Sequence, residues 1–184
     1  MEFNFADIYE AIADRVPERT ALVTGDVRTT YAELDEMANR LAHHLQARGV
    51  GEGDHVGCYL LNGPEYMATF FAALKIRAVP INVNFRYVAD ELRYLFDDAE
   101  LKAVVFHQQF LPRVEEIAGD VPGLTTFIVV GDDSDAQPSG AIEVERWDDV
   151  LAAASPERDF GPRSGDDHYV LYTGGTTGMP KGVV

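Results

Sequence analysis

Between residues 55 and 130 short apolar runs alternate with segments of helical period, and this alternation restricts the fold more than any other feature of the chain. Residues 55–61 read as a strand. Pro64 opens a helix over 64–75, because proline suits the first helical turn. Residues 79–81 read as a second strand, and 90–98 as a helix whose Asp90 and Glu91 complement its positive N-terminal dipole. A strand over 103–106, a helix over 110–118 and a strand over 125–130 complete the series. Such alternation builds right-handed βαβ units, so the expected class is α/β: a mostly parallel sheet with flanking helices on both faces.

The flanking segments follow the same rules. Phe5, Ile8, Tyr9, Ile12 and Val16 recur at helical spacing, which predicts an amphipathic helix over 4–15, ended by Pro17. Residues 21–24 and 27–29 around Gly25-Asp26 predict a hairpin. Thr30 and Glu33 have the spacing of a capping box. The stripe Leu34, Met37, Ala38, Leu41 and Leu45 then predicts a helix with Gly49 at its C-terminal cap. Residues 131–140 and 155–166 read as loops, 147–154 as a short helix, and 168–172 as a strand. The chain stops at Val184 in an apolar Gly-Val-Val run of the kind found inside strands, so the sequence is expected to be a piece of something longer.

Charge and composition exclude several classes. Fifteen basic residues against 31 acidic ones leave a net charge of −16, a surface that repels phosphate backbones, so no nucleic-acid partner is expected. One cysteine, Cys58, excludes an internal disulfide framework and a multi-cysteine zinc site, and its apolar strand predicts an inert core thiol. The longest apolar stretch, 66–74, is too short to span a bilayer. The acidic N-terminus lacks the basic region of a signal peptide, so a cytoplasmic protein is expected.

The predicted strand over 168–172 runs into Thr173-Gly174-Gly175-Thr176-Thr177-Gly178-Met179-Pro180-Lys181-Gly182. Glycines let backbone N–H groups approach an anion, Thr hydroxyls add short donors, and Lys181 adds a mobile point charge. That combination is a phosphate cradle; a flexible turn between strands is the plain alternative. A Walker A loop is excluded because Gly182, not Ser or Thr, follows Lys181. Gly49, Gly51 and Gly53 fall short of a dinucleotide fingerprint, since Asp54 takes the third glycine position.

The segment resembles the signature phosphate loop of the adenylate-forming (AMP-binding) superfamily: acyl-CoA synthetases, peptide-synthetase adenylation domains and beetle luciferases. The usual form is Tyr-Thr-Ser-Gly-Thr-Thr-Gly-x-Pro-Lys-Gly, and this chain departs only at Gly174, which removes one hydroxyl. Thr30-Tyr31-x-Glu33-Leu34, Leu61-Asn62-x-x-Glu65 and Val79-Pro80-Ile81-Asn82-Val83-Asn84 look like the family's N-terminal region. The runs Asn82-Val83-Asn84-Phe85-Arg86-Tyr87 and Asp90-Glu91-Leu92-Arg93-Tyr94 look most like actinobacterial-type fatty acyl-CoA synthetases. Arg77 stands where the family usually has glycine.

The resemblance implies that residues 1–184 form the N-terminal portion of an AMP-binding domain, with the rest of that domain and a small C-terminal domain absent. It implies a parent enzyme that activates a carboxylic acid, a fatty acid by those runs, as an acyl-adenylate and transfers it to coenzyme A. ATP, Mg2+ and coenzyme A would be its cofactors. Thr173, Thr176 and Thr177 would bond the β- and γ-phosphates, Gly174, Gly175 and Gly178 would supply backbone donors, and Lys181 would be the catalytic cation. The residues offer no metal site in this portion, and a homodimer stays open. The 184-residue chain alone is expected to be inactive, and 174–181 mobile without phosphate. Two alternatives stay open: loading of a carrier-protein thiol, and a non-catalytic interaction module.

Other candidates are weaker. His43 and His44 are adjacent on a helix and cannot form a metal pair, so they read as solvated, and His55, His107 and His168 have no ligand partner nearby in sequence. The Asp pairs at 97–98, 132–133, 148–149 and 166–167 read as solvated charges, and Phe70 and Phe71 as core residues.

Overall fold

The computed structural model describes residues 3–131, 138–173 and 180–184. The alternating region folds as expected. Strands β3 (His55–Tyr59), β4 (Val79–Asn82), β5 (Leu101–His107) and β6 (Thr126–Val130) are joined through helices α3 (Pro64–Lys75), α4 (Ala89–Asp98) and α5 (Leu111–Ala118). Before them come α1 (Phe5–Arg15), the hairpin β1 (Thr20–Thr24) and β2 (Val27–Thr30), and α2 (Tyr31–Ala47). After them come β7 (Glu145–Arg146), α6 (Trp147–Ala153), β8 (Val170–Thr173) and β9 (Lys181–Val183). The main sheet runs β7-β6-β5-β3-β4-β8-β9, parallel except for the antiparallel pair β8–β9 at one edge. The hairpin β1–β2 forms a separate antiparallel sheet.

Strand order allocates the helices. The step from β3 to β4 moves one way along the sheet, and the steps from β4 to β5 and β5 to β6 move the other way. Right-handed crossovers therefore put α3 on one face and α4 and α5 on the other. Alternate side chains supply the two cores. Val56, Ala103, Val105, Ile128 and Val130 pack with α1, α2, α3 and α6, whereas Tyr59, Val104, Phe106, Phe127 and Val129 pack with α4 and α5.

Local signals place the helix ends. Asn4 caps α1, and Thr30 with Glu33 closes a reciprocal capping box on α2. The face of α1 differs from expectation. Its small residues Ala6 and Ala13, with Tyr9, are buried, while Phe5, Ile8 and Ile12 remain 51%, 47% and 40% exposed. Close approach of α1 to α2 and α3 favours the small face, a choice that periodicity does not encode.

The connection from α6 to β8 has no regular structure, yet it returns from the β6–β7 edge to the far side of β4. Charge holds it there. Arg158 bonds Asp35 at 2.8 Å and Asp14 at 2.7 Å. Arg163 bonds Glu10 through two nitrogens, each at 2.8 Å, and Asp7 at 2.6 Å. Beneath them the Lys75 ammonium is fully buried and meets Glu10 and, at 2.9 Å, Asp35. His43 and His44, expected to be solvated, are docking contacts. His43 packs at a tilt against Phe160 and bonds the Glu157 carbonyl at 3.0 Å, and His44 meets Glu145 at 3.1 Å.

Burial alone would raise the Glu10 carboxyl, but bonds from Arg163 and Lys75 outweigh it and hold its pKa below the ordinary value. Stability from a lowered carboxylate is complete above the unfolded-state pKa and is lost as pH falls through the folded one. Acid unfolding of the protein is therefore expected below about pH 4, read by circular dichroism. Lys75→Met leaves two carboxylates short of a buried cation and should cost about 3 kcal/mol or more in urea unfolding, with the acid transition shifted to higher pH. A loss below about 1 kcal/mol would contradict a coupled buried cluster.

Candidate functional site

The candidate site is built on the β8–β9 hairpin at the edge of the sheet. β8 enters beside β4 in parallel, with Val170 opposite Ile81 and Leu171 opposite Asn82. It turns back as β9, pairing Leu171 with Val183, Tyr172 with Gly182 and Thr173 with Lys181. Directly opposed residues of an antiparallel pair share a face, so the side chains of Thr173 and Lys181 leave the same face at the end of the ladder. Both residues are exposed. Lys181, read from sequence as part of the loop, is the first residue of a strand. Gly174, Gly175, Thr176, Thr177 and Gly178 lie outside the described residues, as does the expectation that this loop is mobile.

The opposite face of the hairpin fixes its depth. Tyr172 is buried against the α4–α5 core and donates its hydroxyl to Asp98 at 2.7 Å. Burial, followed by the Asp98 carboxylate, pushes its phenol above the ordinary tyrosine value. A Cβ on Gly182 would sit 3.1 Å from Val170 Cγ1 and 3.3 Å from the Tyr172 ring. Glycine at this step lets the ring lie across the hairpin.

All the parallel strands of the sheet point their carboxyl ends the same way, toward the end where ligands bind in open α/β folds. The order reverses between β3 and β5, and there His107 Nδ1 accepts the Leu61 N–H at 3.0 Å. Burial holds the His107 imidazole below its ordinary pKa, so the neutral ring carries its proton on Nε2. Sequence reading passed over His107, because a topological switch becomes visible only once strand order is known. Thr173 and Lys181 lie at the β8–β9 hairpin, with β4 between them and that crevice.

Other candidates resolve simply. Cys58 is buried, and burial pushes its thiol up to about 12. Phe71 is buried and Phe70 is half-buried between Phe71 and Tyr169. Asp167, expected to be solvated, has a side chain only 7% exposed and is held by Arg77, Asn4 and the Ser164 N–H. Asp132 and Asp133 lie outside the described residues. Among the described residues no group of three or more His, Cys, Asp or Glu side chains is placed to hold a metal ion. No helix among them is long and apolar enough to cross a membrane.

The chain can now be set beside known proteins. A family model described as AMP-binding enzyme matches residues 9–184. The chain is 48% identical to a medium/long-chain-fatty-acid–CoA/3-oxocholest-4-en-26-oate–CoA ligase of Mycobacterium marinum, over 98% of this chain and 34% of that protein. It is 47% identical to a 3-oxocholest-4-en-26-oate–CoA ligase of Rhodococcus rhodochrous, over 100% of this chain and 33% of that protein. It superposes with a TM-score of 0.89 and 28% identity on the anthranilate CoA ligase AuaEII in complex with anthranoyl-AMP, covering 99% of this chain and 34% of that one. The chain thus spans about a third of the length of the curated relatives it matches.

The hairpin geometry yields a direct check. Gly182→Ala must displace the Val170 and Tyr172 side chains and should cost about 1–3 kcal/mol, a fall in melting temperature of several degrees. An unchanged melting temperature would show that Tyr172 is not packed across the hairpin.

Proposed function

Because the chain belongs to the AMP-binding enzyme family, we propose that it is the N-terminal portion of an enzyme that activates a carboxylic acid with ATP and transfers the acyl group to coenzyme A. The observation that carries this reading is the pairing of Thr173 with Lys181 across the β8–β9 ladder, at the carboxyl end of β8. A carboxylate oxygen attacks the α-phosphorus of ATP, the bond to the β-phosphate oxygen breaks, and pyrophosphate leaves. The thiol sulfur of coenzyme A then attacks the acyl carbon, AMP departs, and the thiol proton is released. Splitting the reaction through a mixed anhydride turns a poor acyl donor into a reactive one.

The chain's own residues bind and neutralise charge. Thr173, with Thr176 and Thr177, donates hydroxyl hydrogens to the β- and γ-phosphates. Backbone N–H groups of Gly174, Gly175 and Gly178 complete the cradle. Lys181 neutralises the charge that grows on the departing pyrophosphate, the kind of electrostatic stabilisation on which such transfers depend. Mg2+ carried in with ATP would shield the charge of the phosphates. The names of the relatives support a bulky apolar acid as substrate, a medium- or long-chain fatty acid or the side-chain acid of a steroid. Use of ATP and coenzyme A supports a cytoplasmic site.

ATP–pyrophosphate exchange with a long-chain fatty acid tests the reading in the polypeptide of the relatives' length. Lys181→Ala should lower exchange by about 10- to 1000-fold, the range for losing one electrostatic stabiliser, with the melting temperature nearly unchanged because the side chain is exposed. Exchange within about twofold of wild type would contradict the assignment. The 184-residue chain alone should form no acyl-adenylate.

A further inference from the structure

Arg77 adopts a backbone conformation that belongs to glycine. Its φ is 61°, and Glu100, with φ 45°, is the other non-glycine residue with positive φ among those described. Each directly follows a helix C-cap, Ile76 of α3 and Ala99 of α4, where a left-handed residue turns the chain into the next strand. The resemblance predicts glycine at residue 77, so arginine carries a conformational cost that its side chain must offset.

The guanidinium makes two ion pairs. Arg77 Nε donates to Asp167 Oδ1 at 3.0 Å, and Nη1 meets Glu52 at 2.9 Å. Asp167 also accepts the Ser164 N–H and Asn4 Nδ2, each at 3.0 Å. Asn4 Nδ2 donates in turn to the Leu74 carbonyl at 2.9 Å. The junction thereby ties together the start of α1, the end of α3 and the end of the irregular connection. Two residues separate Asp167 from β8, which shares only two register pairs with β4. So short a parallel ladder specifies register weakly, and a slip of one residue would send Thr173 and Lys181 to the other face.

We propose that Arg77 is a positioning residue: through Asp167 it fixes the register of β8 and so holds Thr173 and Lys181 where phosphate is bound. The positioning rests on geometry alone; its consequence for phosphate rests on the function proposed above.

Amide hydrogen exchange, melting temperature and Mg·ATP affinity of the chain separate the possibilities. In Arg77→Gly the relieved backbone offsets the lost ion pair, so the melting temperature should stay within about 3 °C of wild type. The Val170 to Thr173 amides should exchange at least about tenfold faster, while β3 and β6 keep their rates. Asp167→Asn should do the same, and Arg77→Lys, which keeps the charge but not the rigid fork, should fall between. Glu100→Gly relieves the same strain away from the junction and should leave β8 unchanged. The Mg·ATP dissociation constant should rise about five- to tenfold in Arg77→Gly, as the competent register loses population. Unchanged β8 exchange in Arg77→Gly overturns the proposal. So does faster β8 exchange in Glu100→Gly, or faster exchange everywhere together with a lowered melting temperature. If wild type binds no Mg·ATP, the phosphate reading falls, while the exchange data still decide the positioning.

Discussion

A lysine ammonium with no exposure to water must meet negative charge, and the packing of Lys75 against Glu10 and Asp35 organises one whole face of this protein. Those carboxylates lie on α1 and α2, and Lys75 is the last residue of α3, so the cluster ties three helices at one point. Arg163 and Arg158 share the same carboxylates and bring in the chain that follows α6. Hydrophobic burial alone would leave that segment free to slide, because it has no periodic apolar face. Arg163, bidentate to Glu10, and Arg158, which bridges Asp35 and Asp14, give it a defined path. The path leads on to β8, so this buried charge sets the approach of the chain to the hairpin that carries Thr173 and Lys181.

How much of this is legible in the sequence follows from the range of each interaction. The segments 64–75 and 90–98 are readable because periodicity, Pro64 and the acidic first turn are local signals, and the structure gives helices Pro64–Lys75 and Ala89–Asp98. The capping box of Thr30 and Glu33 is equally local. The buried face of α1 is not, because the choice between its small and its large apolar side depends on how closely two other helices approach. Asp167 looks like a solvated charge because its partners Arg77 and Asn4 are 90 and 163 residues away. Arg77 alone left a trace, as a residue where glycine is usual, and its positive φ explains why glycine is usual there.

The Gly/Thr/Lys segment was legible as a motif but not as placement. Glycines, threonines and one lysine are the residue types of a phosphate loop, yet nothing local says that Thr173 pairs with Lys181 across a ladder. Nor does anything local say that this ladder joins β4 at one edge while the topological switch lies between β3 and β5. Open α/β folds ordinarily bind ligands at such a switch, where His107 stands with its N–H turned outward from the Leu61 contact. The hairpin that pairs Thr173 with Lys181 lies instead on the far side of β4 from that switch. The two places are distinct predictions of where a nucleotide's charge comes to rest.

Backbone amide chemical shifts recorded while Mg·ATP is added to the chain tell these places apart. The account predicts the largest changes at Thr173 and Lys181 and at the end of β4 around Asn82, smaller ones at Leu61 and His107, and loss of the pattern in Lys181→Ala. Changes that centre on Leu61 and His107, and that persist in Lys181→Ala, would contradict it.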